Sequence, residues 1–490
     1  MMMAFLRSSL SRSSNIHHGI STMSCRAAVS FYSTETQNNI MSNNKITENL
    51  YKRISPVGDP NVSMYPLLEQ WEKEGKSIHF SQLVVIVKSL RKFKRYTHAL
   101  QISEWISTKY PKLQPAGAAV HLDLVSRVEG LEQAEKYFDS LPDDVKTLHV
   151  YGALLNCYAT TKSVEKAEAT AEKMKRMGMM TTLSYNSMLN LYKKTGDMEK
   201  LEKVYQEMLE MGVSCDKPTF YIRLSAYAAA SDLEGMERGL QKLEESLGLN
   251  VDWNAYIIAS TGYDNSGLPD KSYEMLKKSE NYISGNSKGA AWEILLRKYA
   301  SLGKKEDVYR IWDLYKTSWK KVYNRGYSAM VYALIKLDDI DGAEKVLAEW
   351  ETQKLSYDFR LPNMLITAYC TKGLFAKAEA YVDRVVDMGK KPPASTWVLF
   401  VTGYAKKNEM EKAVEMLKKC VLADDKRWCR LDQDTFDVCV EYLKGKGDLE
   451  MVEEIEKTFQ DKLRVPQTSD ADSLADKIDE ESDEVEESRG

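Results

Sequence analysis

Apolar residues recur along this chain with the period of a helix, in blocks that repeat about every 35 residues. The clearest block is 182–216. Its first apolar stripe is Tyr185, Met188, Leu189 and Tyr192, and its second is Leu201, Val204, Tyr205 and Met208. Gly196 separates the stripes and Gly212 follows the second, as a left-handed helix cap would. Each block therefore predicts a helix, a short turn, a second helix and another turn.

The repetition of this block predicts a stacked array, because one unit cannot bury its apolar face alone. A large, mostly aromatic residue marks the start of most units: Tyr151, Tyr185, Phe220, Tyr256, Trp292, Tyr327, Trp397 and Phe436. Glycine recurs at the first turn as Gly196, Gly267, Gly303, Gly373 and Gly447. The sequence has no alternating strand pattern. We expect an all-α fold, a right-handed α-solenoid of about eleven helix-turn-helix repeats over 80–463.

The start of the chain has the composition of an organelle transit peptide, which we predict over 1–35. This segment contains Arg7, Arg12, Arg26 and many serines, and it has no acidic residue before Glu35. An arginine-bearing amphipathic start favours the mitochondrion, with the plastid as second choice. The alternative is a disordered serine-rich tail. No apolar run is long enough for a membrane span, so we expect no membrane partner.

Three further segments complete the predicted organisation. Residues 36–79 are expected to be a linker with N-terminal capping helices, since a terminal repeat must cover its open apolar end. The repeats follow over 80–463. Residues 464–490 form an acidic tail with few aromatic residues, which predicts disorder. The net charge of the chain is -4, and most of that charge lies in the tail, so the repeats are close to neutral.

The sequence contains no recognisable catalytic or metal-binding motif. Its seven cysteines are scattered without a CxxC pair, which argues against disulfides and zinc and favours a reducing compartment. Its six histidines are dispersed, and no Walker A loop, GxSxG elbow or HExxH motif occurs. We therefore predict a protein that is not an enzyme, with no cofactor, no metal and no small-molecule substrate.

The segment Tyr185-Asn186-Ser187 through Gly196-Asp197, with 208–216, resembles a pentatricopeptide repeat of the P type. The resemblance extends over about 80–463 and implies single-stranded RNA binding in a groove lined by the first helices, with one base for each repeat. This family is most abundant in land-plant mitochondria and plastids. The alternative, a peptide-binding tetratricopeptide array, has a small residue where this chain has bulky ones: Met174, Met208, Leu243, Tyr315 and Trp350.

The resemblance also implies which residues contact bases. In this family the fifth and last residues of a repeat recognise the base edge. Asn186 with Asp216 fits the pair used for uracil, and Ser328 with Asp358 fits the pair used for guanine. Asn363 keeps an amide at the fifth position, without a carboxylate at the last position.

Basic residues recur near the end of the first helix and are candidates for phosphate contact: Lys92, Arg127, Lys194, Lys336 and Lys406. The alternative is that lysine simply favours the C-terminal end of a helix dipole. Arg325 and Arg360 occupy the second position of adjacent repeats, where the family inserts a residue between bases, and they could stack there. We prefer an ordinary surface role for these two arginines.

The resemblance, together with the arginine-bearing start of the chain, implies an organelle protein that binds single-stranded RNA and acts sterically in RNA processing, stability or translation. Several fifth positions depart from the family rule, with Val84, Ile257 and Val398 offering no hydrogen bond and Glu293 offering a negative charge. The alternative function is therefore a structural or interaction subunit of a larger ribonucleoprotein, such as the mitochondrial ribosome. Its partners would then include ribonucleoprotein or ribosomal proteins.

Overall fold

The computed structural model describes residues 50–60, 62–110, 114–245, 251–284, 288–319, 321–353, 355–423 and 431–463. The predicted transit peptide at 1–35 and the predicted acidic tail at 464–490 lie outside the described residues, as does 36–49 of the predicted linker. The boundaries of these segments stay predictions.

The regular elements of the described ranges are α-helices, which confirms the all-α prediction. The first half of the chain contains α1 Tyr65–Lys73, α2 Phe80–Lys92, α3 Tyr96–Lys109, α4 Pro115–Val128, α5 Leu131–Ser140, α6 Leu148–Thr160, α7 Val164–Arg176, α8 Thr182–Thr195, α9 Met198–Glu210, α10 Lys217–Ala229 and α11 Leu233–Glu245. The second half contains α12 Trp253–Asn265, α13 Pro269–Glu280, α14 Lys288–Ser301, α15 Lys305–Ser318, α16 Asn324–Lys336, α17 Ile340–Thr352, α18 Arg360–Lys372, α19 Phe375–Asp387, α20 Ala394–Lys406, α21 Met410–Leu422, α22 Gln433–Lys446 and α23 Leu449–Leu463.

The chain forms two units, and the first extends to Leu154. Within it α2 packs against α3, α3 against α4, and α4 against α5. Its core is built from apolar side chains with no exposed surface, including Leu83, Leu90, Ala99 and Leu122. Because these residues lie on the apolar stripes of their helices, burying them drives the pairing of the helices.

The second unit begins at Leu155 and contains the repeats from 182 onward. Its first helices lie side by side, with α10 between α8 and α12, and with α16, α18 and α20 following α14 in turn. Each of these first helices also contacts the second helix of its own repeat. This arrangement places the fifth residue of one repeat beside the start of the next repeat.

The 182–216 repeat shows how the sequence produces the turn. Gly196 ends α8 with a φ of 75° and Gly212 follows α9 with a φ of 66°, so both predicted left-handed caps are confirmed. Other repeats place a non-glycine residue at the same turn: Lys94, Lys162, Ser231, Asp338 and Asn408 all have a positive φ. All the residues of the two predicted stripes are buried except Val204, which is half-buried because it lines a cavity of about 470 Å³ between α7, α8 and α9.

The recurring tyrosines belong to the core, and their hydroxyls also link neighbouring repeats. The hydroxyl of Tyr192 on α8 donates to Glu168 on α7 at 2.8 Å. Among the described residues, a bond of the same kind joins a first-helix tyrosine to a glutamate of the preceding second helix at five further junctions: Tyr227 to Glu202, Tyr263 to Glu237, Tyr299 to Glu280, Tyr369 to Glu344, and Tyr404 to Glu379. A buried hydroxyl needs such a partner, so the repeats stack in one register.

Candidate functional site

The junction between α8 and α10 holds the first predicted pair of base-recognition residues. Asp216 is the N-cap of α10, and its Oδ1 atom accepts from the backbone N–H of Thr219 at 3.0 Å. The backbone N–H of Asp216 donates in return to the Thr219 hydroxyl at 3.2 Å, which completes a capping box. The last residue of the 182–216 repeat is therefore held in place by the first turn of the next repeat.

Asn186 also hydrogen bonds to this capping box. It contacts Asp216, the residue with which the family resemblance pairs it. Its Nδ2 atom donates to Asp216 Oδ1 at 3.0 Å, and its Oδ1 atom lies 2.8 Å from the Thr219 hydroxyl. The carboxylate is an acceptor only, so the amide must turn its NH₂ group towards Asp216. Asn186 is 5% exposed and Thr219 has no exposed surface, whereas Asp216 is exposed.

The second carboxylate oxygen of Asp216 is available to a ligand. Among the described residues, the hydrogen bonds of this side chain all go to Oδ1, and Oδ2 accepts none. An amide has two N–H donors, and Asn186 uses one of them on Asp216. The junction therefore offers one donor and one charged acceptor side by side, at the boundary of two first helices.

The second predicted pair has a different geometry. Ser328 does not hydrogen bond Asp358; its hydroxyl lies 3.8 Å from the sulfur of Met364. Both carboxylate oxygens of Asp358 instead accept from the Arg360 guanidinium, at 2.7 to 3.0 Å. Burial acts to raise the pKa of Asp358, but the Arg360 hydrogen bonds outweigh it and leave this pKa below its ordinary value. The resemblance would allow Arg360 to stack between bases, although an ordinary surface role was preferred, and the structure pairs it with the last residue of the preceding repeat.

Arg325 also pairs with a carboxylate, that of Glu293 at the fifth position of the 289–323 repeat. Glu293 is 7% exposed, and its other oxygen accepts from the Tyr315 hydroxyl at 3.0 Å. Burial raises the pKa of Glu293 above its ordinary value, although Arg325 and Tyr315 act in the opposite direction. Each of the two second-position arginines therefore pairs with a carboxylate of the preceding repeat.

Asn363 is held in the same way as Asn186, although its last-position partner is Pro393. Its Oδ1 atom accepts from the Thr396 hydroxyl at 2.8 Å, and its Nδ2 atom lies 3.4 Å from the Ser395 hydroxyl. Neither Thr219 nor Thr396 stands out in the sequence as a candidate site residue. The signal that would have found them is a threonine at the third position of a repeat that follows an asparagine at the fifth.

The predicted phosphate-contacting residues differ in their surroundings. Lys92, Lys194, Lys336 and Lys406 are exposed at the ends of their first helices. Arg127 is held within the first unit, where it donates to Asp123 at 3.0 Å and lies over the ring of Tyr96. The structure therefore shows that the four lysines are exposed and that Arg127 forms an ion pair with Asp123.

No group of histidine, cysteine and acidic side chains in the part of the chain that the structure describes could hold a metal ion. No helix among the described residues is long and apolar enough to cross a membrane.

Comparison with protein families and solved structures finds matches over most of the chain. A model described as the PPR repeat family matches 180–229, and a PPR repeat model matches 149–179, 362–389 and 395–422. The chain is 40% identical over 410 residues to the mitochondrial pentatricopeptide repeat-containing protein At2g20710 of Arabidopsis thaliana, covering 83% of each chain. It is 34% identical to the Arabidopsis large ribosomal subunit protein mL101 (rPPR4), covering 84% of each.

The solved structures give the same fold. The crystal structure of the maize pentatricopeptide repeat protein PPR10 matches with a TM-score of 0.55 at 18% identity, over 89% of this chain and 63% of that chain. The structure of PPR10 in complex with an 18-nt psaJ RNA element matches with a TM-score of 0.50 at 19% identity, over 81% of this chain and 58% of that chain.

Proposed function

Because this chain belongs to the pentatricopeptide repeat family, we propose that it binds single-stranded organelle RNA and acts sterically in RNA processing, stability or translation. Steric action needs only occupancy of the strand, which blocks a nuclease or changes local RNA structure. Members of this family are non-catalytic, and the prediction that the chain is not an enzyme follows from membership.

The observation that carries the proposal is the Asn186–Asp216 junction. The Watson–Crick edge of uracil presents an N3–H donor between two carbonyl acceptors. Asp216 Oδ2 is an exposed, charged acceptor for N3–H, and the second N–H of Asn186 is a donor for the neighbouring carbonyl. A single-stranded base exposes this edge, whereas a paired base does not.

The Ser328–Asp358 junction would suit guanine by the same logic. Guanine presents two adjacent N–H donors and the O6 acceptor, so a carboxylate can accept twice while a hydroxyl donates. Arg360 now occupies the carboxylate of Asp358, so guanine must displace it. We expect this second preference to be the weaker one.

The mitochondrion is the proposed location. Three Arabidopsis relatives, at 40%, 38% and 30% identity, are named as mitochondrial. The arginine-bearing, acid-poor start of the chain supports the same compartment, with the plastid as second choice.

The proposal is tested by selecting a randomised single-stranded RNA pool on the purified chain at several salt concentrations. We expect enrichment of uracil, with a weaker guanine four nucleotides later, because the 182–216 and 324–358 repeats are four units apart. Affinity should fall steeply with salt if exposed lysines contact phosphates. A flat selection with negligible affinity would contradict RNA recognition by this chain.

The second candidate function is a structural subunit of a ribonucleoprotein particle, and the identity to mL101 favours it. Sedimentation of an organelle extract distinguishes the two proposed functions. A particle subunit should migrate with a ribosomal subunit and resist release by nuclease treatment of single-stranded RNA. A free RNA-binding protein should sediment with heterogeneous complexes that the same treatment removes.

A further inference from the structure

The two predicted base-recognition asparagines share a contact that the fifth-and-last pairing rule does not include. Asn186 Oδ1 lies 2.8 Å from the Thr219 hydroxyl, and Asn363 Oδ1 accepts from the Thr396 hydroxyl at the same distance. Each threonine is the third residue of the repeat that follows its asparagine. Neither threonine has any exposed surface, so water cannot take the place of the hydroxyl.

We infer that Thr219 and Thr396 are positioning residues that fix the orientation of the base-facing amide, so that base preference at a repeat depends on a third residue from the next repeat. An asparagine amide can rotate by half a turn and exchange its donor for its acceptor. At Asn363 the Thr396 hydroxyl donates to Oδ1 and holds the oxygen inward. At Asn186 the single proton of the Thr219 hydroxyl is shared between Asn186 Oδ1 and Asp216 Oδ1, so Thr219 acts together with Asp216, which accepts from the NH₂ group. This inference rests on the proposed RNA-binding function.

The other junctions from 182 onward support the pairing of asparagine with threonine. Where the fifth residue is not asparagine, the third residue of the next repeat mostly has no hydroxyl: Ala255 follows Tyr221, Ala291 follows Ile257, Gly326 follows Glu293, and Leu361 follows Ser328. A threonine does follow Val398, at Thr435. Its hydroxyl donates instead to the N-cap Asp432 at 2.8 Å, because Val398 has no polar atom to contact.

Three threonines at the same position in their repeats allow the helix-capping role of the hydroxyl to be separated from its role in orienting an amide. Thr219 contacts both a capping aspartate and an asparagine. Among the described residues, the Thr396 hydroxyl bonds to an asparagine and not to a capping carboxylate, since its N-cap is Pro393. Within the same part of the chain, the Thr435 hydroxyl bonds to a capping aspartate. If capping were the whole role of these hydroxyls, removing those of Thr219 and Thr435 should have equal effects on RNA binding.

The experiment compares Thr219→Val, Thr219→Ser and Thr435→Val in the full chain. The probes are four RNAs that differ only at the nucleotide whose uracil preference is lost in Asp216→Ala. For Thr219→Val we expect about a fivefold loss of discrimination for uracil at that nucleotide, the value of one hydrogen bond. Thr219→Ser should restore the preference, and Thr435→Val should leave it unchanged at every nucleotide.

Thr396→Val provides an independent test at a junction without a capping carboxylate. Thr396→Val should weaken base preference only at the nucleotide that lies five positions after the one recognised by the 182–216 repeat. The inference is overturned if Thr219→Val keeps its discrimination, if it weakens binding equally for all four bases, or if Thr435→Val matches it. If the wild-type chain binds none of the RNAs, the proposed function itself fails, which is a different result from binding without the threonine effect.

Discussion

Asp216 and Asp358 hold the same position in their repeats, yet the structure gives them different surroundings. Asp216 is exposed, and its Oδ2 atom accepts no hydrogen bond from the described residues. Asp358 is paired through both oxygens with Arg360. The second residue of the following repeat is Pro218 in the first case and Arg360 in the second. The neighbouring repeat thus decides whether a carboxylate at the last position is available to a base.

The 289–323 repeat extends this comparison. Glu293 places a carboxylate at the fifth position, which would repel RNA, and Arg325 of the next repeat neutralises it. Two consecutive repeats therefore use an arginine to cover a negative charge of the repeat before. We conclude that the 182–216 junction is open to a ligand and that the 289–358 region is closed by its own ion pairs.

The largest effect is expected from breaking the open junction. Asn186→Ala or Asp216→Ala should weaken binding to the selected uracil-containing RNA about tenfold or more, because each removes a contact to the base edge. Affinities measured by fluorescence anisotropy would show this loss. Asp252→Ala is the matched control, since Asp252 is also an N-cap at a last position, but the fifth residue of its repeat is Tyr221 and its carboxylate accepts from the backbone N–H of Asn254. Equal losses in Asp216→Ala and Asp252→Ala would contradict base contact.

The second prediction concerns Arg360, which covers the carboxylate of Asp358. Arg360→Ala leaves both oxygens of Asp358 without their guanidinium, so guanine no longer has to displace it. We expect the preference for guanine four nucleotides after the uracil to rise about fivefold, measured by repeating the pool selection with the variant. Arg360→Lys keeps the positive charge but loses the bidentate guanidinium contact, so it should give an intermediate guanine preference. An unchanged selection would show that Arg360 does not control access to Asp358.

Removing Arg325 should lower the affinity for RNA equally for all four bases. Arg325→Ala leaves the carboxylate of Glu293 without its cation, so affinity should fall about threefold for every RNA tested. The double variant Arg325→Ala, Glu293→Gln should recover the wild-type affinity because the charge is gone. A loss that persists in the double variant would mean that Arg325 itself contacts the RNA.

The exposed lysines are expected to contribute less individually. Lys336→Ala should lower affinity about twofold and reduce the salt slope by about 0.7, the value for one phosphate contact on a single strand. Lys377→Ala is the control, because Lys377 pairs with Glu344 at 3.2 Å within the protein. Identical slopes for the wild type and Lys336→Ala would remove this lysine from the interface.

The smallest effect concerns stability at the closed junction. Burial raises the pKa of Glu293 in the folded protein, so the folded state holds its proton more tightly than the unfolded state does. Stability is therefore lost as the pH rises through this pKa, and Glu293→Gln should remove that loss. We expect the variant to melt about 2 °C or less above the wild type at pH 7, with the difference vanishing near pH 4. A variant that melts lower at pH 7 would show that the Arg325 ion pair outweighs burial.

The repeats were predictable from the sequence because their signals are local. The spacing of Tyr185, Met188 and Tyr192 and the glycine at 196 define a helix and its end without reference to distant residues. The pairing of Asn186 with Asp216 followed from the family resemblance, and the structure brings the two into contact. These features depend on positions within a single repeat.

The sequence did not predict which carboxylates are covered by arginine side chains, because this depends on contacts between neighbouring repeats. The resemblance allowed Arg325 and Arg360 to stack between bases and an ordinary surface role was preferred for both, but neither interpretation indicated that their side chains pair with Glu293 and Asp358. Thr219 reads in the sequence as an ordinary helix-start residue. Its contact with Asn186, 33 positions earlier, exists only because α8 and α10 lie side by side.

The most direct test of the account is a double-mutant cycle between Asp216 and the N3–H group of the uracil. The protein is wild type or Asp216→Ala, and the RNA carries either uridine or N3-methyluridine at the selected nucleotide. We predict that methylation weakens the wild-type complex about tenfold and adds little further loss to Asp216→Ala, because both changes remove one hydrogen bond. Losses that simply add would mean that Asp216 does not accept from the base, and would contradict the open junction as the site of uracil recognition.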